Sequence, residues 1–488
     1  MKDIALSLLP LALLVVALGV LRMTAWKAAL GALAVAVATV ALAYGETLPP
    51  DGILRVGAEG VRFALCPIAL VIVGALFAHG LCRRSGALLV IRGVLGNVSA
   101  DSRVLVLIVA WGFGNFIEGI AGFGTSAAIP AAVLVGCGLD PLRSVLVCLI
   151  CNATATSYGS VGVGVLALAK GANLPAADVG MAASVVLAVG FLVTPFLMVA
   201  AMDGVRALRG VWWLCLAAGL SFVIPCTAAA FFLGPELPDI VGASVSMATI
   251  MALGGRVRPD SRFATHGGTP RRFTPYHVLH ASSPFALVMA FLALYAFLPP
   301  AAKNRITPGA VILVAAMLGG FVQGVGLRAQ LATLGAVLRK NAWTILTICA
   351  VLAMARIMDG AGMMATLACA ITSCTGRAYA FLAPVVGAMG GFITGSGTSA
   401  NVLFGSLQVN TAHALGLADT VLAGANIFGA GVGKMVCPQS LAIGAAAVGL
   451  VGSEGDILKR TLAWFIGLLA FACLVCGLLA FVLPVPAR

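Results

Sequence analysis

Charged residues are scarce in this 488-residue sequence. Only 9% of the residues are Asp, Glu, Lys or Arg, whereas 61% are hydrophobic. A soluble domain is usually about one quarter charged, so a soluble fold of this length could not cover its surface. The apolar content also excludes a disordered chain. The apolar runs are long and continuous, unlike the alternating strands of a β-barrel. What remains is an all-α, polytopic integral membrane protein.

Motifs of catalytic and metal-binding chemistry are also missing. The sequence has no HExxH helix, no acid-rich metal motif and no recognisable nucleophile with its base, so we do not expect an enzyme. Most of the 13 cysteines lie in apolar runs, where free Cys behaves as a small hydrophobic residue. Two CxxC pairs, Cys148/Cys151 and Cys473/Cys476, lack a second ligand pair at zinc spacing. We therefore expect neither a bound metal nor a cofactor.

The net charge of +13 reflects 29 Lys or Arg against 16 Asp or Glu. No basic stripe is interleaved with aromatic residues, so we expect no nucleic-acid partner. Membrane proteins concentrate Lys and Arg in cytoplasmic loops, and loop 255–281 carries five Arg and one Asp. Placing this loop inside the cell orients the rest of the chain. Lys27 and Arg103 then lie inside, whereas Glu236, Asp239, Lys170 and the N-terminus lie outside.

Apolar segments divide the chain into two membrane halves. A spanning helix needs about 20 apolar residues, and the sequence predicts about 12 to 14 hydrophobic segments. Residues 1–254 form an N-terminal half, 255–281 a basic cytoplasmic loop and 282–488 a C-terminal half. Three stretches are too rich in Gly, Ser, Thr and Asn to be simple spans: 104–138, 361–415 and 418–450. The first must enter and leave on one side, either as a re-entrant hairpin or as two short spans.

An internal repeat relates the two halves. The motif GNFIEGIAGFGTSAAIP (114–130) resembles GGFITGSGTSANVLF (390–404), and CNATATSYGSVGVG (151–164) resembles ANIFGAGVGKMVCPQS (425–440). Asn152 and Asn426 are 274 residues apart, and Gly114 and Gly390 are 276 apart. This agreement favours a true repeat over shared low complexity. An odd number of crossings between the hairpins would make the repeats inverted, which we favour. Whether 341–376 crosses once or twice stays open.

The repeated motifs predict re-entrant hairpins and broken helices. Irregular backbone in a membrane is tolerated only where it is buried in protein or lines a polar cavity. Transporters use such breaks to direct helix N-termini at anions and carbonyls at cations. The alternative for glycines alone is a close helix–helix interface. The paired motifs with membrane Asn residues favour the transporter.

Two charged residues lie inside these motifs, where charge is costly and marks a functional candidate. Glu118 could carry a proton or be held structurally by backbone N–H groups. Lys434 could neutralise an anionic substrate, pair with Glu118 or extend to an interface.

These stretches resemble the L-lactate permease family of 2-hydroxymonocarboxylate symporters. The similarity is closest in residues 100–132, in GPELPDIVGA (234–243), in GGFITGSGTSANVLFGSLQ (390–408) and in ANIFGAGVGKMVCPQSLAI (425–443). The resemblance implies proton-coupled transport of L-lactate, and often of D-lactate and glycolate. It also implies a fold of paired hairpins and broken helices, like that of the ion transporter superfamily.

Candidate site residues follow from motif position. We expect the substrate carboxylate at the N–H groups of both hairpins and its 2-hydroxyl at the amide side chains of Asn152, Asn426 and Gln439. Lys434 would supply positive potential, and Glu118 would carry the proton. The predicted substrate-binding residues are Gly124, Thr125, Ser126, Asn152, Gly397, Thr398, Ser399, Asn401, Asn426, Lys434 and Gln439. The chain departs from the family pattern at Gly397, where Asp is usual, at Ser126, where Pro is usual, and at Cys437, where Ser is common. Gly397 removes a membrane carboxylate, which leaves proton against sodium coupling open.

The sequence thus predicts a secondary active transporter of L-lactate and related anions that works by alternating access in the bacterial inner membrane. A carrier for another small organic anion, or a sodium-coupled carrier, is the alternative on the same fold. A passive channel-like subunit of a larger complex is a third class. The partners are the substrate anion, the coupling ion and the lipid bilayer. The exact substrate, the direction of transport and homo-oligomer formation stay open.

Overall fold

A computed structural model describes residues 2–19, 21, 23–96, 99–120, 122, 125–258, 260–264, 274–298, 306–450 and 453–482. These residues are almost entirely helical, and one isolated antiparallel bridge joins Asp101 to Ala264. The predicted all-α fold class is confirmed. Gly124, Pro259 and residues 265–273 of loop 255–281 lie outside the described residues, as does the side chain of Thr125.

The described chain contains ten helical segments long and apolar enough to cross a membrane, or eleven if the bent pair Asp419–Lys434 and Pro438–Ala447 is one span. Four shorter apolar helices accompany them. Large apolar side chains face outward, with Leu42 89% and Phe232 82% exposed. Water would oppose such exposure, whereas lipid favours it. The chain is therefore a multi-pass membrane protein.

The helices outside the repeated motifs come in three groups. The first group precedes the first motif and comprises Lys2–Gly19, Ala25–Ala43, Pro50–Phe63, Leu70–Arg84 and Ala87–Gly96. The second lies between the motifs and comprises Ala176–Asp203, Trp212–Phe232, Pro238–Gly254, Pro275–Ala296, Pro308–Val322, Leu327–Gly360 and Met363–Thr375. The last helix is Glu454–Val482.

The stretch 341–376 contains parts of two helices. Leu327–Gly360 ends before Gly362, whose φ of +75° suits glycine, and Met363–Thr375 follows. The inverted relation of the repeats stays a prediction.

The first motif forms a hairpin followed by a broken helix. Hairpin 1 is Ser102–Ile120, which includes a π-helical stretch at Val106–Phe113, and the returning helix Thr125–Gly136. Broken helix 1 runs from Pro141 to Gly171. A 3₁₀ turn at Thr156–Tyr158 interrupts it, and the next residues leave helical geometry.

The second motif repeats this arrangement. Hairpin 2 is Tyr379–Thr394 and Gly397–Leu415, joined at Gly395, whose φ is +66°. Broken helix 2 is Asp419–Lys434 and Pro438–Ala447, which meet at a bend of 48°. The hairpins and helix breaks expected from the repeat are therefore present.

Buried side chains form two hydrophobic cores. The first contains most of hairpin 1 and of both broken helices, parts of Ala176–Asp203 and Trp212–Phe232, and the last helix, and we call these elements the motif unit. The second contains the N-terminal helices and parts of Pro275–Ala296, Pro308–Val322 and Leu327–Gly360, which we call the scaffold. Ile120 at the tip of hairpin 1 and Val161 at the helix break belong to the scaffold core. The tip and the break therefore lie where the two cores meet.

A buried ion pair fixes the start of hairpin 1. Arg103 Nη2 lies 2.7 Å from Asp101 Oδ2, and the two side chains are 2% and 0% exposed. Arg103 Nη1 also donates to the carbonyl oxygens of Ala207 and Arg209. The sequence placed Arg103 among the loop charges that set orientation. In the structure its guanidinium is instead buried and tethers hairpin 1 to the 204–209 turn.

Candidate transport site

The tip of hairpin 2 directs a helix N-terminus into a cavity. Gly395 ends the first arm, and Ser396 then caps the second arm by accepting a hydrogen bond from the Ser399 N–H at 3.2 Å. The 19-residue helix Gly397–Leu415 begins here. Its first N–H groups have no partner within the helix, and its dipole places partial positive charge at this end. This end of hairpin 2 therefore suits an anion.

The break in broken helix 1 depends on a close approach by the GPELP loop. Ser160, Val161 and Gly162 all have positive φ, between 53° and 69°. A Cβ atom on Gly162 would overlap the carbonyl oxygen of Pro235, so only glycine fits. The GPELP element of the sequence thus packs against the unwound helix.

Glu118 and Lys434 form a buried ion pair between the two motifs. Lys434 Nζ lies 2.9 Å from Glu118 Oε1 and donates to Thr156 Oγ1 at 3.1 Å. Glu118 is 2% exposed and Lys434 is 5% exposed. Gly159 allows the approach, because a Cβ there would lie 2.8 Å from Glu118 Oε1. Of the alternatives for Lys434, the structure shows pairing with Glu118 in this conformation.

Ser126 and Asn152 support the pair from behind. The Ser126 hydroxyl donates to Glu118 Oε2 and accepts from Asn152 Nδ2 at 2.7 Å. The Thr156 hydroxyl lies 2.7 Å from the Asn152 carbonyl oxygen and can donate to it. Ser126, Asn152 and Thr156 thereby form a hydrogen-bonded support for the two charges, as a charge pair in a low-dielectric site requires.

A cavity of about 310 Å³ opens beside this pair. At its buried end lie Glu118, Lys434 and Thr156, and the tip of hairpin 2 forms one wall. At its other end are Trp26 and Trp343, whose rings stack with centroids 4.5 Å apart. Trp343 is 57% exposed, so the cavity reaches the protein surface there. The cavity is large enough for a small organic anion.

The structure brings some of the predicted binding residues to the cavity and not others. Gly397, Thr398, Ser399, Lys434 and Gln439 line it together with Glu118. Ser126 and Asn152 do not line the cavity; Ser126 contacts Glu118, and Asn152 contacts Ser126.

Asn401 and Asn426 belong to a separate buried network. Asn426 Nδ2 donates to Asn401 Oδ1 at 3.0 Å, and Asn401 Nδ2 donates to the Gly164 carbonyl at 3.2 Å. Gln408 Nε2 contacts Asn426 Oδ1 at 3.3 Å. This network joins hairpin 2 to both broken helices, and it does not line the cavity.

The glycines of broken helix 2 make the close interface that small residues allow. Cβ atoms on Gly429 and Gly433 would overlap the carbonyl oxygens of Pro384 and Ala388 in hairpin 2. The Gly-rich motifs thus serve both as helix breaks and as close helix–helix interfaces, at different positions.

Several residues of the cavity were not identified from the sequence. Thr156 binds Lys434, Ser396 caps hairpin 2, and Trp26 and Trp343 line the mouth of the cavity. Asp239 was placed in an outer loop. It instead occupies the first turn of Pro238–Gly254 and is 1% exposed, with Oδ2 only 3.1 Å from where a Cβ on Gly119 would lie. The GPELPD element could have indicated this position, because a Pro-Asp pair before an apolar run is typical of a helix start.

The described residues contain no group of three or more His, Cys, Asp or Glu side chains that could hold a metal ion.

Comparisons with known proteins identify the family. A model of the L-lactate permease family matches residues 3–307 and 302–483. An L-lactate permease of Streptococcus iniae is 35% identical over 438 residues, which cover 84% of this chain and 91% of that protein. A glycolate permease of Escherichia coli (strain K12) is 30% identical over 515 aligned positions, covering 93% and 91%.

Two solved structures share the fold at low sequence identity. The YdaH transporter of Alcanivorax borkumensis matches with a TM-score of 0.52 and 15% identity over 90% of each chain. The efflux pump MtrF of Neisseria gonorrhoeae matches with a TM-score of 0.51 and 14% identity over 90% of this chain and 86% of that one. Both are transporters, and the likeness shows that this chain shares their fold.

Proposed function

Because the chain belongs to the L-lactate permease family, we propose that it transports L-lactate and related 2-hydroxymonocarboxylates, such as D-lactate and glycolate, together with protons. It acts as a carrier and not as an enzyme, in the bacterial inner membrane with its N-terminus outside. The observation that supports this most is the buried Glu118–Lys434 pair in a cavity walled by a helix N-terminus.

The ion pair offers a direct way to couple an anion to a proton. A substrate carboxylate that enters the cavity competes with Glu118 for Lys434 and finds further donors at the N–H groups of hairpin 2. Glu118, once separated from Lys434, is a buried carboxylate without its counter-charge, and such a group takes up a proton. One anion and one proton then occupy the site together. Gln439 also lines the cavity, and its amide would hydrogen-bond the 2-hydroxyl.

The two cores offer a mechanism for alternating access. The cavity reaches the surface beside Trp26, and the positive-inside orientation places the neighbouring Lys27 in the cytoplasm. This conformation is therefore the inward-facing one. The site lies where the two cores meet. Movement of the motif unit against the scaffold would expose the cavity residues to the opposite side of the membrane.

Purified protein in proteoliposomes tests the coupling. We expect an inwardly directed proton gradient, with the outside of the vesicles more acidic, to drive lactate accumulation. A sodium gradient should not drive it. Glu118→Gln should abolish accumulation driven by the pH gradient while lactate counterflow persists at a measurable rate. Glu46→Gln, at an exposed turn position, is the matched control and should accumulate lactate as the unaltered protein does. Undiminished pH-driven accumulation by Glu118→Gln would refute the role of Glu118, and sodium-driven uptake would favour the sodium alternative.

A further inference from the structure

Asp239 is a second carboxylate buried beside the transport site. Its side chain is 1% exposed, and neither carboxylate oxygen has a hydrogen-bond partner among the described residues. Glu118, in contrast, is held by Lys434 and Ser126. Asp239 Oδ2 packs against Gly119, the residue after Glu118, and the two carboxylates are near enough to influence each other electrostatically.

The surroundings of Asp239 do not compensate a negative charge. The titratable groups that face it are Glu118 on hairpin 1, Cys151 and Tyr158 on broken helix 1, and Cys226 on Trp212–Phe232. Each of these groups is neutral when protonated and negative when deprotonated, so none of them can supply a positive charge. The ion pairs found among the described residues do not include Asp239. Its place in the first turn of a helix favours a carboxylate, but no N–H group of the described chain reaches it. An isolated buried carboxylate is costly, so Asp239 holds a proton in this conformation.

The position of Asp239 also suggests where that proton goes. Asp239 follows the GPELP loop, which packs on the unwound residues of broken helix 1 through Pro235 and Gly162. Glu236 of the same loop is partly exposed. Asp239 thus packs on the hairpin turn that carries Glu118 and lies three residues after a partly exposed acid, and it does not line the cavity, whose mouth is at Trp26 and Trp343.

We propose that Asp239 is a proton-binding residue that supplies the coupling proton to Glu118 from the side of the GPELP loop. When the substrate takes Lys434 from Glu118, the Asp239 carboxyl gives up its proton and the Glu118 carboxylate receives it. Asp239 is then reprotonated from water through the Glu236 side. This inference rests on the proton coupling proposed above. Asp239 would be a second membrane carboxylate, in a different place in the fold from the Asp that the family usually has where this chain has Gly397.

Asp239→Asn tests the proposal, because Asn has the shape of the protonated acid but cannot release a proton. Lactate counterflow moves no net proton, and we expect it to remain within about threefold of the unaltered protein. Accumulation driven by a pH gradient, and the alkalinisation that accompanies lactate entry, should fall at least about tenfold, since a positioned proton donor is worth that much or more. Asp239→Glu keeps an ionisable group and should recover part of the proton uptake. Asp178→Asn changes an exposed acid that also follows a helix-starting proline, and should have no effect.

The outcomes separate this inference from the proposed function. If the unaltered protein moves no protons with lactate, the proposed coupling fails before any variant is compared. If it does, and Asp239→Asn still accumulates lactate at the normal rate, the role of Asp239 is refuted. Loss of counterflow together with accumulation would show a purely structural role and would also overturn the inference. Loss of accumulation with counterflow retained supports it.

Discussion

Replacing Lys434 by Gln separates the two things that its ammonium group does. Nζ pairs with Glu118 at 2.9 Å, and it is the cation that the substrate anion would meet in the cavity. Both side chains are nearly fully buried. Removing one partner of such a pair costs about 3–5 kcal/mol, because an uncompensated charge is left behind. Removing both charges, in Glu118→Gln/Lys434→Gln, should recover most of this loss.

The effect on binding has a separate magnitude. Truncating one member of a buried, hydrogen-bonded charge pair costs about 2–5 kcal/mol in a complex, which corresponds to a roughly 30- to 5,000-fold weaker Kd. We therefore expect Lys434→Gln to bind lactate at least about 30-fold more weakly. The double variant should regain stability without regaining affinity, because the substrate still lacks its cation.

Titration calorimetry with lactate and thermal unfolding in detergent measure the two effects. Lys459→Gln is the control, since Lys459 is 83% exposed and pairs only loosely with Asp456 at 3.8 Å. A Lys434→Gln protein that binds lactate within about threefold of the unaltered Kd would refute the assignment of this cation to the substrate. A double variant no more stable than the single one would refute the account of the ion pair.

Three further changes test other parts of the structure. Gly397→Asp should raise the Kd for lactate at least about tenfold in the same calorimetric assay, because a Cβ there lies 2.6 Å from Thr156 Cγ2 and the new carboxylate competes for Lys434; an unchanged Kd would contradict this. Arg103→Met should lower the free energy of unfolding by about 3–5 kcal/mol by stranding the buried Asp101, and Asp101→Asn in addition should restore much of it, as followed by the thermal midpoint. Gly433→Ala should destabilise the protein and reduce transport, because hairpin 2 must move away, whereas Gly467→Ala, which meets nothing within 4 Å, should do neither.

The sequence predicts the segments of this fold better than the directions of its side chains. The hairpins and helix breaks follow from Gly, Ser, Thr and Asn in apolar surroundings, since membrane burial leaves few structures for such residues. The repeat spacing also pairs the right segments. Glu118 and Lys434 stand out because charge inside an apolar motif is rare. Lys434 and Glu118 are 316 residues apart in the chain, yet pairing was among the alternatives that their charges suggested.

Which residue faces the cavity could not be predicted in the same way. Asn152, Asn401 and Asn426 occupy motif positions, but their helix faces turn to neighbouring helices, and that depends on how the two motifs pack together. Thr156 and Asp239 were missed for the converse reason. A threonine in a helix and an acid after a proline have ordinary local explanations, and only the tertiary fold brings them to the ion pair.

The departures from the usual family pattern converge on one part of the site. Ser126, in place of Pro, supplies the hydroxyl that donates to Glu118. Gly397, in place of Asp, leaves the space that Thr156 occupies while it binds Lys434. Cys437, in place of Ser, accepts the Ser440 N–H and so starts the helix segment that carries Gln439. Ser126 acts on Glu118 directly and Gly397 acts on Lys434 through Thr156, so the two departures are best understood together. The site lacks the carboxylate usual at position 397 and has a hydroxyl on Glu118, which leaves Lys434 with one protein carboxylate to exchange for a substrate anion.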